Sequence, residues 1–372
     1  MALVNGPARI AVVGAGWRAG YALRVARERP DLVEITGVYA RSARSAARIE
    51  DHWDVRVSTD LDVVIRHGSP EAAFVCVSKD AVGDLAVRIH SAGLPLLLET
   101  PPGPDLDALL DVHEALGDSG AQVSEQYQYQ PQHAARIAVA RTGLLGPVGS
   151  ASVSVAHDYH AVSLLRLLLG VGFEDVVVDG ATEVDRVRSV RGRDGWLPET
   201  RVIDSEVVRA TLRWASGRLG AYEFGSEQYV SPLRGRHLRV RGVDGELVDD
   251  EVARYVEPGR VSRGTLRRDE TGRDGDLEGL HLRQVWLGER LLAESRFGPA
   301  RLSDDEIALG ECLVRMGEYV RGGDPFYPLA DACEDTYLGL LIHEAVRTGG
   351  PVRAAARPWQ GRRSVASTEP TR

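Results

Sequence analysis

Residues 9–21 read Arg9-Ile-Ala-Val-Val-Gly14-Ala-Gly16-Trp-Arg-Ala19-Gly-Tyr21. An apolar run of strand character, Ile10 to Val13, stops at two glycines and passes into a helical pattern, Ala19 to Glu28. A strand that turns sharply into a helix leaves the first N–H groups of that helix unpaired above the sheet. Gly14 permits the tight turn, and Gly16, with no Cβ, lets a pyrophosphate approach the backbone. Ala19 supplies the third small residue, where helix and strand must lie close. The motif follows the first strand, opens a helix and precedes a second strand at the right distance, so it reads as a dinucleotide-binding fingerprint. Trp17 and Arg18 occupy the same turn and are expected to line the cofactor, with Trp17 covering its pyrophosphate or adenine side.

Working outward, strand and helix alternate through the first third. Strands are predicted at 10–13, 33–39, 55–57, 72–77, 94–98 and 122–124, and helices at 19–28, 43–52, 61–66, 82–92 and 106–116. This alternation predicts a doubly wound parallel sheet, whose ligands bind beyond the carboxyl ends of its strands. Those ends carry Gly14–Trp17, Ala40–Ser42, Val77 and Ser78 with Lys79–Asp80, and Glu99–Pro101. The second strand ends without Asp or Glu. Ala40, Arg41, Ser42 and Arg44 stand there instead, offering cations and a hydroxyl as a 2′-phosphate requires, so NADP is expected over NAD.

After Gln126 the texture changes. A helix at 133–142 is followed by a strand at 151–156, the cluster His157-Asp158-Tyr159-His160 and an apolar helix at 161–169. Alternating strands at 207–215, 218–224, 237–242 and 246–255 predict a large, mostly antiparallel open sheet with helices on one face. Residues 258–279 are rich in Gly, Arg and Asp and read as a mobile excursion; helices follow at 304–321 and 330–348. The expected domains are 1–126, 127–353 and a disordered tail at 354–372.

The chain has 372 residues, 43% hydrophobic and 27% charged, with a formal net charge of −9. An acidic balance argues against nucleic acid or an anionic membrane surface. The N-terminal apolar run is too short for a signal peptide, and no stretch approaches a membrane span. Cys76, Cys312 and Cys333 form no Cys-x-x-Cys pair and read as reduced thiols of a cytoplasmic protein. No metal site is expected, since His157 and His160 lack a third ligand at suitable spacing.

Among 45 basic side chains Lys79 is the only lysine. Either a coding bias has replaced lysines wherever only charge matters, or this one marks a place where a desolvated ammonium can release a proton.

Together these residues resemble the glucose–fructose oxidoreductase, inositol dehydrogenase and rhizopine-catabolism (Gfo/Idh/MocA) family. The matching points are Gly14-x-Gly16-x-x-Ala19, Glu99-Thr100-Pro101, the Gly-Leu-Leu-Gly-Pro turn at 143–147, the segment from His160 to Gly170, and Glu344-Ala345 with Thr348-Gly349-x-Pro351-Val352. The resemblance implies an N-terminal Rossmann domain, a C-terminal α/β domain with an open sheet, and NAD(P)-linked chemistry on sugars, cyclitols or related small molecules. It also implies that Glu99 lies near the nicotinamide ribose, with Pro101 fixing the next turn, and that His160 faces the substrate.

The departures matter as much. Thr100 stands where the family has the lysine of Glu-Lys-Pro, Ser163 where it has an aspartate, and Gln128 where an arginine is common. Lys79 and His160 are therefore the candidate proton donors, with Lys79 moved one strand over to serve beside Thr100. Tyr127 and Tyr129 are read as substrate wall or core, and Asp158 as the same-side neighbour of His160. Arg166 is expected to pair with a structural acid. The expected activity is hydride transfer to or from a small polar ketone, alcohol or imine, in a homodimer or homotetramer built through the C-terminal sheet. A redox-silent dinucleotide-binding sensor or partner-binding relative is the alternative.

Overall fold

The computed structural model describes residues 6–361 except 118 and 193. The first run of elements is β1 (Ala8–Val13), α1 (Trp17–Glu28), β2 (Val33–Tyr39), α2 (Ala43–Glu50), β3 (Val57–Ser58), α3 (Leu61–Arg66), β4 (Ala72–Val75), α4 (Val82–Ser91), β5 (Leu96–Leu98), α5 (Leu106–Leu116) and β6 (Gln122–Val123). These six strands form one parallel sheet in the order β3-β2-β1-β4-β5-β6. The strand order reverses between β1 and β4, the place where doubly wound sheets bind ligands. β1 and β4 are buried on both faces, as central parallel strands must be.

The chain continues through α6 (Pro131–Arg141), β7 (Val148–Ser154), α7 (Asp158–Leu169), β8 (Val176–Gly192), β9 (Gly195–Trp214), β10 (Leu219–Gly225), β11 (His237–Gly242), β12 (Gly245–Val248), β13 (Glu251–Glu257), β14 (Arg260–Glu270), β15 (Leu282–Leu287) and β16 (Arg290–Glu294). It ends with α8 (Asp304–Val320), α9 (Leu329–Thr348) and β17 (Val352–Arg353). An eleven-stranded sheet has the order β16-β15-β14-β13-β12-β11-β7-β10-β9-β8-β17. Its pairs are mostly antiparallel, β7–β10 being parallel. The fold class read from the sequence is the one observed: a Rossmann sheet plus a large, mostly antiparallel sheet in an α/β chain.

Two compact units result. The first runs to Ala134 and regains Arg268–Trp286 and Leu291–Cys333; the second comprises Ala135–Arg267, Leu287–Arg290 and the chain from Glu334. Within the first unit α8 packs against α1 and β1. The close approach depends on Gly317, where a Cβ would come 2.5 Å from that of Ala8. Ser303 caps this helix, its Oγ accepting from Glu306 N while Glu306 accepts from Ser303 N, a reciprocal capping box.

Three sequence readings need correction. Residues 260–270 are strand β14, not a mobile excursion: Gly259 (φ +80°) turns a hairpin, and the ladder to β13 carries Arg260–Glu257 (2.5 Å) and Thr265–Glu251 (2.7 Å) cross-strand pairs. The long strand β8 had not been read at all; both its faces are largely solvated beyond Gly180, so period-two apolar alternation fades. Residues 354–361 are placed, not disordered. Trp359 is fully buried and donates from Nε1 to Glu334 Oε2 at 2.8 Å. The rest of the tail, 362–372, lies outside the described residues.

Arg166 does pair with a structural acid. Its Nη1 donates to Asp335 Oδ1 at 2.6 Å, with both side chains about 95% buried. Removing one partner strands the other charge in the core, whereas removing both does not. Arg166→Met should therefore lower unfolding stability by roughly 3–5 kcal/mol, and the double variant with Asp335→Leu should recover most of that loss. Urea denaturation of the three proteins checks the expectation.

Candidate active site

The candidate site residues fall into two sets, each within its own unit. In the first, β1 ends at Gly14 (φ +133°), where a Cβ would collide with the Cys76 carbonyl after β4. Only glycine fits there. Gly16 is the N-cap of α1, and a Cβ built on it meets nothing within 4 Å, so its face is open to a ligand. No side chain caps α1 and no acid lies in its first turn. Its unpaired N–H groups and positive dipole end therefore form an anion cradle that fits dinucleotide phosphates. Ala19 is fully buried against the sheet, as the fingerprint requires.

Around the cradle the predicted residues divide. Arg41 and Arg44 are exposed and make no ion pair among the described residues, whereas Ala40 is buried with its N–H donated to the Ser58 carbonyl. Ser42 is spent on a cap: its Oγ accepts from Ser45 N at 3.2 Å. Arg48, which the sequence reading passed over, lies on α2 and donates from Nη2 to the Ala15 carbonyl at 2.5 Å. Its i, i+4 spacing from Arg44 could have found it.

At the next strand ends, Val77 is half-buried and Ser78, Lys79 and Asp80 are exposed. Of the two readings of Lys79 the solvated one matches its surroundings: it sits in an exposed turn with no ion-pair partner among the described residues. Glu99 lies close to Arg18, its Oε1 2.5 Å from Arg18 Nε. Thr100 Oγ1 is buried and makes no hydrogen bond among the described residues, an acceptor and donor left for a ligand at the crest beside Pro101. Tyr127 and Tyr129 join the core instead of a wall. Tyr127 is 8% exposed with its ring tilted against His133, and Tyr129 packs on the first unit's core beneath the Arg315 guanidinium.

The second set surrounds the start of α7. His160 is buried in its first turn, its ring 4.4 Å from that of Tyr159 and 5.4 Å from that of His157. His157 Nδ1 lies 2.5 Å from Tyr229 Oη, and the backbone N of His157 donates to the same oxygen at 3.1 Å. Asp158 has φ +42°, a left-handed conformation costing a non-glycine residue about 1 kcal/mol or more. Its own contacts hold it there. Its N–H donates to Tyr222 Oη at 3.2 Å, and its Oδ1 accepts from Tyr222 Oη at 3.3 Å and from His343 Nε2 at 2.8 Å. Gly339 lets α9 approach, since a Cβ there would stand 3.2 Å from Tyr159 N.

Burial pushes the Asp158 carboxyl up, but the His343 hydrogen bond and charge, with His157 and Tyr222, outweigh it and hold the group below its ordinary range. The Asp158 hydrogen bond raises His343 against burial. Tyr222 is pushed up by burial and by the Asp158 charge, so its hydroxyl stays neutral. Ser163, by contrast, is fully buried and donates to the His160 carbonyl at 2.9 Å, so it serves the helix and not a substrate. Tyr222, Tyr229 and His343 were missed. Alternation along β10, where Gly220, Tyr222 and Phe224 share the buried face, was the available signal for Tyr222.

Residues 8–127 match the model of the Gfo/Idh/MocA group described as "Oxidoreductase family, NAD-binding Rossmann fold". The first domain is an NAD-binding Rossmann fold. No curated protein matches the chain by sequence. Among solved structures it resembles levoglucosan dehydrogenase in complex with NADH and levoglucosan, at 14% identity over 93% of this chain and 98% of that one, TM-score 0.66. It also resembles a myo-inositol dehydrogenase from Corynebacterium glutamicum, at 17% identity over 94% and 100%, TM-score 0.63. A third is a putative NADPH-dependent oxidoreductase from Desulfitobacterium hafniense, at 11% identity over 94% and 98%, TM-score 0.66. At these identities the likeness is one of fold. No helix among the described residues is long and apolar enough to cross a membrane.

The His343–Asp158 pair gives a pH expectation. A raised histidine contributes stability fully below its unfolded value of about 6.5 and loses it as pH rises through the folded one. A lowered aspartate contributes above about 3.9 and loses it as pH falls. His343→Gln should therefore lower stability most between about pH 4.5 and 6.5, the difference fading as pH rises through the folded value. Urea midpoints of both proteins across that range test this; a pH-independent difference would show that the pair carries no charge.

Proposed function

We propose that the chain is an NADP-preferring oxidoreductase of the Gfo/Idh/MocA family, acting on a small polar carbonyl, alcohol or imine. The single observation that carries the reading is the uncapped α1 N-terminus behind Gly14 and Gly16, beside a second strand end that offers Arg41, Arg44 and Arg48 and no carboxylate. The family match over the first domain and the sugar and cyclitol dehydrogenases of like fold support it. The α1 turn would hold the pyrophosphate and the arginines a 2′-phosphate. When bound, the nicotinamide supplies or accepts the hydride.

The protein's part is to orient and to move a proton. An arginine does not release one, and Lys79 is solvated, so the buried His160 is the proposed acid or base. Assembly as a homodimer or homotetramer through the second sheet, in the cytoplasm, completes the proposal. A redox-silent dinucleotide-binding relative is the second reading. It is favoured by Thr100 in place of lysine, by solvated Lys79 and by Ser163 turned into its own helix.

Fluorescence titration separates the cofactors. NADPH is expected to bind at least about tenfold more tightly than NADH, and Arg41→Ala with Arg44→Ala to erase most of that difference while leaving NADH within about threefold. Equal or tighter NADH binding would remove the NADP preference. A screen of carbonyl and imine substrates by NADPH consumption should find turnover that His160→Ala reduces about 10²-fold or more. Cofactor binding with turnover on no substrate would favour the sensor.

A further inference from the structure

Arg18 is the second residue of α1, inside the phosphate-binding turn, yet its side chain does not reach toward solvent. Its guanidinium lies 4.3 Å from the Trp17 ring centroid and 5.7 Å from that of Tyr21. Its Nε stands 2.5 Å from Glu99 Oε1, and both side chains are nearly nine-tenths buried. With the Gln126 amide oriented so that its nitrogen donates to the Ser124 carbonyl at 2.7 Å, its oxygen accepts from Arg18 Nη2 at 2.9 Å. One side chain thus ties the start of α1 to the residues that follow β5 and β6. Burial opposes the guanidinium's charge, and Glu99 and Asp305 outweigh it.

The strand order says what this tie lies across. A doubly wound sheet binds a dinucleotide over its switch point, the adenosine half above the strand pair that includes β2 and the other nucleotide above the second half of the sheet. Here that second half is β4-β5-β6, and Glu99 closes β5. A carboxylate at such an end accepts from ribose hydroxyls. In this chain it is already engaged at close range by the opposite charge of Arg18. With Thr100 as its neighbour, Arg18 is also the cation that keeps the buried Glu99 from standing uncompensated.

We propose that Arg18 is a specificity-determining residue of the dinucleotide site: it holds Glu99 against the nicotinamide ribose. The adenylate half then carries the affinity, and the nicotinamide half adds little until the guanidinium moves off along Trp17, a residue 56% exposed. The inference rests on the dinucleotide reading above and adds to it which half of the cofactor the protein grips.

The test compares NADPH with its adenosine side alone, 2′-phospho-ADP, which lacks the second ribose, by calorimetric titration of the full chain, and repeats the comparison with NADH and ADP. The wild-type protein is expected to bind each pair within about threefold of one another. Arg18→Met should widen that ratio about tenfold or more through the whole dinucleotide alone, and Glu99→Gln on top of it should restore the wild-type ratio. Arg18→Lys keeps the charge but not the fork, and should widen the ratio by less; it carries the test if the methionine variant does not fold. Equal weakening of both ligands would make Arg18 a phosphate ligand, and no change in either would make the pair purely structural. Each result overturns the proposal. Wild-type protein that binds neither ligand overturns the dinucleotide reading itself, and the proposal with it.

Discussion

At the switch point of the first sheet, the end of β1 is bonded on both sides at once. Gly14 N donates to the Tyr39 carbonyl at 3.0 Å, and Val13 O accepts from Cys76 N at 2.9 Å. The chain must then leave upward past the Cys76 carbonyl, where a Cβ on residue 14 has no room. That steric constraint decides where α1 begins and which way its first N–H groups point. Because neither a side-chain cap nor an acid stands at the helix start, the dipole end remains available to a phosphate. Every other crest residue takes its meaning from its distance along the sheet from this turn.

Charge is handled almost entirely by arginine, and the structure shows what that does. Arg166 and Arg18 each sit in the interior against one carboxylate, positions where a planar, weakly hydrated guanidinium loses less on burial than an ammonium. Arg48 caps a carbonyl of the glycine turn. Such side chains fix geometry and compensate charge without titrating near neutral pH. Histidine is the side chain here whose ordinary pKa lies nearest neutrality. The imidazoles of His157 and His160 gather where α7 begins, and His343 reaches the same turn through Asp158.

What the sequence disclosed follows the same division. Helices at 61–66 and 106–116, strands at 33–39 and 237–242, and the existence of a doubly wound parallel sheet were legible because each buries one stereotyped face or two. β14 and the outer part of β8 were not, since strands solvated on both faces are held by backbone ladders that leave no apolar period. In the candidate site, the glycine turn was legible from local spacing, as was the exposure of the arginines after β2. Ser42 and Ser163 were not, because short hydroxyl side chains satisfy their own helices before they serve a ligand. Tyr222 and His343 lie 64 and 185 residues from Asp158, and only the tertiary fold brings them to it.

Threonine at position 100 then has a physical reading that does not depend on any one substrate. A buried carboxylate at the end of β5 requires a cation, and the first βα turn supplies one from above where the strand itself does not. Arginine meets that electrostatic need but does not release a proton, so position 100 carries neither charge compensation nor proton transfer. Thr100, freed from both tasks, keeps a buried hydroxyl with no hydrogen bond among the described residues, able to donate to a carbonyl or accept from a hydroxyl without changing the charge of the crest. A crest of this kind, neutral at Thr100 and charge-compensated at Glu99, orients a polar ligand without itself exchanging a proton.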